Sequence, residues 1–296
     1  MQTLISLDDS KLEDNEFYDK IASDSKQVLI QLVSEAGHGK TSSLRTIIDY
    51  CRKKHPDIVF KIFDVSQAWY HCAPTKYRQY VTRDRIAKGQ VANIVDCVYE
   101  IGALSDEEKR AFVGTIIGLD YSKRYNDKMN GDGKLDNYFT LVYVFEESNI
   151  YFGSYSFRKN DQYSPMFQMF VSVGRNYKMR GFLVATAEIG EMAPSLRRRS
   201  RKIYGRLESE GDLAVVRRKN KELAQYLIEI PKYHFVYLSD KPYGPVKVPD
   251  LVKNVPDDYV VQVVEVEKVS LNGGWWIRFL AALGIFIMFA WYIIQL

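Results

Sequence analysis

Residues 34 to 41 read Ser34-Glu35-Ala36-Gly37-His38-Gly39-Lys40-Thr41. This is the spacing of a phosphate-binding loop, G-x-x-x-x-G-K-[ST], with serine in place of the first glycine. Gly37 and Gly39 let successive backbone N–H groups wrap an anion, Lys40 carries its charge to the outer phosphates, and the Thr41 hydroxyl suits a hard cation such as Mg2+. His38 is read as a spacer, and Ser42 continues the loop into a helix. Phosphoryl chemistry also needs a carboxylate beside the metal and a second one to activate water. The run Leu141-Val142-Tyr143-Val144-Phe145-Glu146-Glu147 offers both at the end of an apolar stretch, with Glu146 on the metal side and Glu147 as the general base.

Two groups of cations could meet a polyanion. Arg78, Arg83 and Arg85, with Lys76 and Lys88, are interleaved with Tyr77 and Tyr80, a mixture suited to phosphate contact and base stacking. Arg197, Arg198, Arg199 and Arg201 form a second run. A solvated helix face has the same composition, so both readings stay open for these residues. Charge is uneven along the chain: residues 1–31 hold seven acidic and three basic side chains, whereas 175–221 hold thirteen basic and five acidic. Any polyanion should therefore meet the later segment.

These residues need elements to position them. Val28 to Val33 reads as a buried strand entering the loop and Thr41 to Lys54 as the helix leaving it; Ile58 to Phe63, Leu141 to Phe145, Phe182 to Thr186 and Phe235 to Leu238 read as further strands. The alternation predicts a mostly parallel α/β domain over 27–256, flanked by helices, with a helical insertion at about 69–138. Residues 126–136 are expected to be a solvated loop and 240–256, with four prolines, an extended one. The acidic segment 1–26 has neither the basic start nor the apolar run of a signal peptide. Residues 257–274 form a stalk or edge strand. Trp275 to Ile294 is an apolar run of twenty residues whose only charge is Arg278, long enough to cross a hydrocarbon core of roughly 30 Å, with aromatic residues at both ends. The expected topology is single-pass, with the N-terminal body on the cytoplasmic side.

Composition agrees with a folded body. Of 296 residues, 46% are hydrophobic and 26% charged, which excludes a disordered chain or a multispan membrane protein. Three cysteines without metal-ligand spacing argue against a disulfide framework or a zinc module.

The acidic strand end Val142 to Asn149 resembles that of HerA and FtsK-type P-loop ATPases, among which archaeal HerA proteins often carry Glu-Glu in place of Asp-Glu. Val173 to Thr186, with Gly174-Arg175, Gly181 and an apolar strand closing on Thr186, is similar to the same superfamily's sensor strand. Pro194-Ser195-Leu196-Arg197 and Ile203-Tyr204-Gly205-Arg206-Leu207 resemble the stretch that follows, and Asp64 matches the Asp closing the second strand. The sensor departs from the pattern: Thr186-Ala187-Glu188 stands where the family has Thr-Gln or Gln. The resemblance implies a RecA/FtsK-like fold, ATP and Mg2+ as ligands, and a ring, commonly hexameric, in which an arginine from the neighbouring copy meets the outer phosphate. Arg175 is the first candidate for that arginine and Thr186 for the sensor. The anchored form resembles viral packaging ATPases and zonula occludens toxin-like assembly proteins, which implies a motor that moves DNA; the alternative is a nucleotide-binding pseudo-ATPase serving as a membrane scaffold.

Overall fold

The computed structural model describes residues 16–26, 29–69, 73, 77–130, 138–154, 163–185, 192–248 and 267–268. The first half comprises helix α1 (Glu16–Asp24), strand β1 (Leu29–Val33), helix α2 (Lys40–Lys54), strands β2 (Ile58–Asp64) and β3 (Arg78–Tyr80), helix α3 (Arg83–Ala87), strands β4 (Ala92–Asn93) and β5 (Cys97–Glu100), and helix α4 (Asp106–Met129). Strand β6 (Thr140–Phe145), helices α5 (Asn149–Phe152) and α6 (Ser164–Val173), a 3-10 turn over Gly174–Tyr177 and strand β7 (Met179–Ala185) follow. The chain continues through α7 (Pro194–Arg199), β8 (Ser200–Tyr204), α8 (Glu210–Arg217), α9 (Lys221–Glu229), β9 (His234–Leu238), β10 (Pro242–Lys247) and β11 (Glu267–Lys268).

Nine strands form one sheet in the order β10-β9-β8-β1-β7-β6-β2-β5-β3. All pairings from β8 to β3 are parallel, and β9 and β10 are added antiparallel. A parallel sheet gathers the carboxyl ends of its strands at one edge, so the loops after β1, β2 and β6 meet there. Burial on both faces makes the central strands largely apolar, with Gln31 of β1 and Lys61 of β2 as buried polar exceptions. In β6, Val142 and Val144 face the layer containing Ile47, Ile48, Phe17 and Ile21 of α2 and α1, while Leu141, Tyr143 and Phe145 face Phe112, Ile116, Phe167 and Phe170 of α4 and α6. Helix α4 starts on a capping box: Ser105 Oγ accepts from Glu108 N at 3.3 Å, and Glu108 Oε2 accepts from Ser105 N at 2.9 Å.

A polar contact crosses the second layer. Lys61, in the middle of β2 and 1% exposed, donates to both carboxylate oxygens of Asp120 on α4, at 2.8 and 2.6 Å. Tyr143 Oη and Asn93 Nδ2 donate to the same carboxylate at 2.8 and 3.0 Å. Burial lowers the lysine's pKa, and Asp120 opposes that shift.

The expected strands and the loop-exit helix are present with small shifts; the fourth starts earlier, at Met179. Residues 69–138 are not helical throughout: β3, β4 and β5 precede α4, because Cys97–Glu100 and Arg78–Tyr80 extend the sheet beyond β2. Helix α4 continues to Met129 through the expected loop start, and residues 131–137 lie outside the described part. Strand β8 interrupts the basic run, and β10 occupies part of the expected extended loop. In the acidic first segment, Phe17, Tyr18, Ile21 and Ala22 are buried. Of the expected stalk only Glu267–Lys268 is described, paired antiparallel with β4. The expected span 275–294 lies outside the described residues, among which no helix is long and apolar enough to cross a membrane.

Candidate nucleotide site

Strand β1 ends at Val33 and α2 begins at Lys40, so the phosphate-loop pattern forms a strand-to-helix turn at the carboxyl edge. Gly37 and Gly39 have φ of 75° and 82°, the left-handed region that favours glycine. Gly39 caps α2 without a side-chain hydrogen bond, leaving first-turn N–H groups of a fifteen-residue helix for an anion. Lys40 Nζ donates to the carbonyls of Ser34 and Glu35 at 2.7 and 3.0 Å, spanning the loop's mouth, and burial lowers its pKa. Thr41 and Ser42 lie half-buried in the first helical turn.

Ser34 fits where a glycine is usual. Its backbone is not among the left-handed residues, so the position does not require glycine here. Its buried side chain packs against Gly205, where an added Cβ would come within 2.8 Å of Ser34 Cβ and 2.9 Å of Phe235 Cε1. The loop is tied to this neighbour by Gly205 N donating to Val33 O at 2.9 Å and Glu35 N donating to Arg206 O at 2.8 Å. His38 is half-buried, and its carbonyl accepts from Tyr233 N at 3.4 Å.

The acidic pair follows β6 at the same edge. Glu146 is buried and accepts from Thr41 Oγ1 at 3.3 Å, Trp69 Nε1 at 2.9 Å, Val65 N at 3.0 Å and Ser66 Oγ at 3.1 Å. Burial, with the neighbouring Asp64 carboxylate, pushes its carboxyl up to about 7. Asp64 in turn accepts from the backbone N–H groups of Ser66, Ala68 and Trp69 at 3.2, 3.1 and 2.9 Å, shaping the loop after β2. Glu147 is exposed and left-handed, with φ of 47°. Trp69, Ser66 and Val65 escaped the sequence reading; an isolated tryptophan five residues after a strand-closing Asp was the one available signal.

The donors present fit Mg2+. Thr41 Oγ1 and Glu146 Oε1 are hard oxygens already within hydrogen-bond distance, and Mg2+ is commonly held by one or two protein oxygens with phosphates and water. No cluster of three or more His, Cys, Asp or Glu side chains that could hold a metal occurs among the described residues.

The arginines lie elsewhere. Arg175 is in the 3-10 turn before β7 and Arg199 just before β8, both exposed and both at the amino edge, opposite the phosphate loop. With Arg180 they line a hollow of about 390 Å3 that includes Leu29, Phe170 and Met179. Arg198 is exposed at the same edge, the Arg197 side chain lies outside the described part, and Arg201 donates to Ser239 O at 3.3 Å. Arg78, Arg83 and Arg85 sit on β3 and α3, towards the carboxyl edge, and Arg83 pairs with Glu108 at 2.5 Å. The two basic groups are thus on opposite edges of the sheet and do not form one surface. Thr186 lies outside the described residues.

A mostly parallel α/β sheet, a glycine-turned loop opening a helix, and a threonine joined to the carboxylate of a nearby strand define the P-loop NTPase fold. Neither a family model nor a curated protein matches the chain. Among solved structures it is similar to the genome packaging NTPase B204 from Sulfolobus turreted icosahedral virus 2 in complex with sulfate, at 16% identity, over 75% of this chain and 98% of that one, with a TM-score of 0.50. It is also similar to B204, the DNA-packaging ATPase from Sulfolobus Turreted Icosahedral Virus, at 14% identity, 75% and 99% coverage and a TM-score of 0.47. A third structure, Thermomonospora curvata EccC (ATPases 2 and 3) with a signal sequence peptide, gives 11% identity, 71% and 37% coverage and a TM-score of 0.40. The likeness to the first of these structures holds at the level of the fold.

Proposed function

We propose that this chain is a membrane-anchored, ATP-hydrolysing motor of the HerA/FtsK type that moves DNA, as in packaging or extruding a viral genome. The observation that carries the reading is the Thr41–Glu146 hydrogen bond, which joins the phosphate loop to the acidic strand end and leaves Glu147 beside it, exposed. Gly37, His38, Gly39, Lys40, Thr41 and Ser42 hold the phosphates, with Ser34 closing the loop beneath them. Thr41 and Glu146 hold Mg2+, which neutralises phosphate charge when bound. Glu147 orients and deprotonates water, Thr186 acts as the polar sensor, and Arg175 serves the neighbouring copy in a homo-oligomeric ring. Either basic group, Arg78, Arg83 and Arg85 or Arg197, Arg198 and Arg199, supplies DNA phosphate contacts. The fold shared with a genome packaging NTPase supports the reading. The run 275–294 supplies the anchor, with the body on the cytoplasmic side of a host or virion membrane.

The test is nucleotide binding and turnover of the full chain, with and without single- and double-stranded DNA. Lys40→Ala is expected to abolish binding, and Glu147→Gln to keep binding and stop turnover. Equal loss of ATP affinity in both variants removes Glu147 from the base role, and turnover indifferent to DNA removes the motor. Carbonate extraction that releases the full chain from membranes removes the anchor.

A further inference from the structure

The nucleotide reading, on which this inference rests, fixes the direction in which the nucleoside leaves the phosphate loop. The carboxylates that meet the outer phosphate follow β6, separated from β1 by β7, whereas β8 and β9 lie on the other side of β1. A phosphate chain held in the loop with its outer end towards Glu146 and Glu147 directs its base away from β6, towards the β8–β9 flank. There the turn between α9 and β9 carries Tyr233 against the loop. A Cβ built on Gly39 would overlap Cδ1 and Cε1 of the Tyr233 ring, so that side of the ring lies directly against Gly39.

Tyr233 is held in a backbone conformation that large residues rarely adopt. Its φ is 64°, and left-handed bulky residues persist only where their surroundings over-determine them. The restraints tie it to the phosphate loop and its helix. Tyr233 N donates to His38 O at 3.4 Å, Tyr233 O accepts from Val248 N at 2.8 Å, and Val248 O accepts from Ser43 Oγ of α2 at 3.3 Å. The ring is half-buried, and Nζ of the exposed Lys232 lies over it, 5.1 Å from its centroid. An exposed contact of that kind is weak enough for a stacked base to displace.

We infer that Tyr233 is the stacking platform for the base of the bound nucleotide. An aromatic face takes any base and holds a purine by more area than a pyrimidine, so the platform favours purine nucleotides through area.

Calorimetric titration of the full chain with ATP, CTP and inorganic tripolyphosphate in the presence of Mg2+ tests this. Tyr233→Ala is expected to weaken ATP binding by about tenfold or more, to narrow the ATP over CTP preference, and to leave tripolyphosphate within about twofold of the wild type. Tyr233→Phe and Tyr233→Trp should keep ATP affinity. Because the alanine variant removes a ring packed on Gly39, Tyr233→Leu is measured beside it, with a melting curve for each; the leucine variant should show the same selective loss. Equal weakening of ATP and tripolyphosphate, or unchanged ATP affinity in a folded variant, overturns the platform. The nucleotide reading fails separately, if the wild type binds neither probe or if Lys40→Ala binds tripolyphosphate as the wild type does.

Discussion

Thr41 and Glu146 are 105 positions apart in the chain, and their side chains share a hydrogen bond of 3.3 Å. The bond brings the start of α2 to the end of β6 across β7. Around it are a tryptophan N–H, a serine hydroxyl, a backbone N–H and the Asp64 carboxylate, so a carboxyl with little access to water sits where a divalent cation fits.

That burial gives the metal-free protein a pH dependence. The Glu146 carboxyl is raised from 4.5 to about 7, so the folded state keeps a proton that the unfolded chain releases. Its contribution is fully present below about pH 4.5 and is lost as pH rises to about 7; with Asp64 beside it the two titrate as a pair. Melting temperature without Mg2+ should fall between pH 5 and 7.5 by several degrees, for a change of the order of 2 kcal/mol. Glu146→Gln should flatten that part of the curve. A wild-type curve no steeper than the variant's would sink the assignment.

The Ser34–Gly205 contact predicts a one-sided substitution pattern. Gly205→Ala places a methyl group 2.8 Å from Ser34 Cβ and 2.9 Å from Phe235 Cε1 and should cost about 1–3 kcal/mol in denaturant unfolding. In a Ser34→Gly background part of that cost should disappear, because one of the two obstructions is gone. Strictly additive losses would show that the two positions do not feel each other.

Asp120→Ala leaves the Lys61 ammonium buried without its carboxylate, which typically costs about 3–5 kcal/mol. Adding Lys61→Met should return more than half of that loss. A double variant no more stable than Asp120→Ala, measured by urea titration, would refute the account of the pair.

Arg175 and the phosphate loop occupy opposite sheet edges, so the ring proposal requires them to meet between copies. Mixing Arg175→Ala with Lys40→Ala subunits should restore turnover that neither has alone, since some interfaces then pair an intact loop with an intact arginine. The absence of rescue, with a per-subunit rate unchanged on dilution to monomer, would exclude a shared site. Rescue with Arg199→Ala but not with Arg175→Ala would move the role to the later arginine.

The phosphate loop and the acidic strand end were legible because each compresses its chemistry into eight or fewer consecutive residues, and because β1, β2 and β6 are mostly apolar. Strand β8 was hidden: it reads Ser-Arg-Lys-Ile-Tyr within a basic run, and Lys202 is buried there because Gln31 of β1 accepts from it at 2.6 Å. Short strands such as β5, four residues long, give too little pattern to separate from a helix. Trp69 and Tyr233 reach the site from loops; apart from the strand-closing Asp five residues before Trp69, nothing in their local sequence announces where the chain will fold back. That the two arginine groups end on opposite sheet edges could not be read from the chain, because spacing along it carries no information about which edge a loop ends on.

Strand β10 closes one flank of the sheet with Pro242, Gly244, Pro245 and Lys247, and it slips register against β9 between Tyr243 and Val246. Two of its six residues lack an N–H to offer, and a terminal lysine makes the approach of another strand unfavourable. The flank is therefore a poor template for edge-to-edge growth. Copies crowded together at high local concentration, as on a shared surface, are kept from zipping into a continuous sheet through this side.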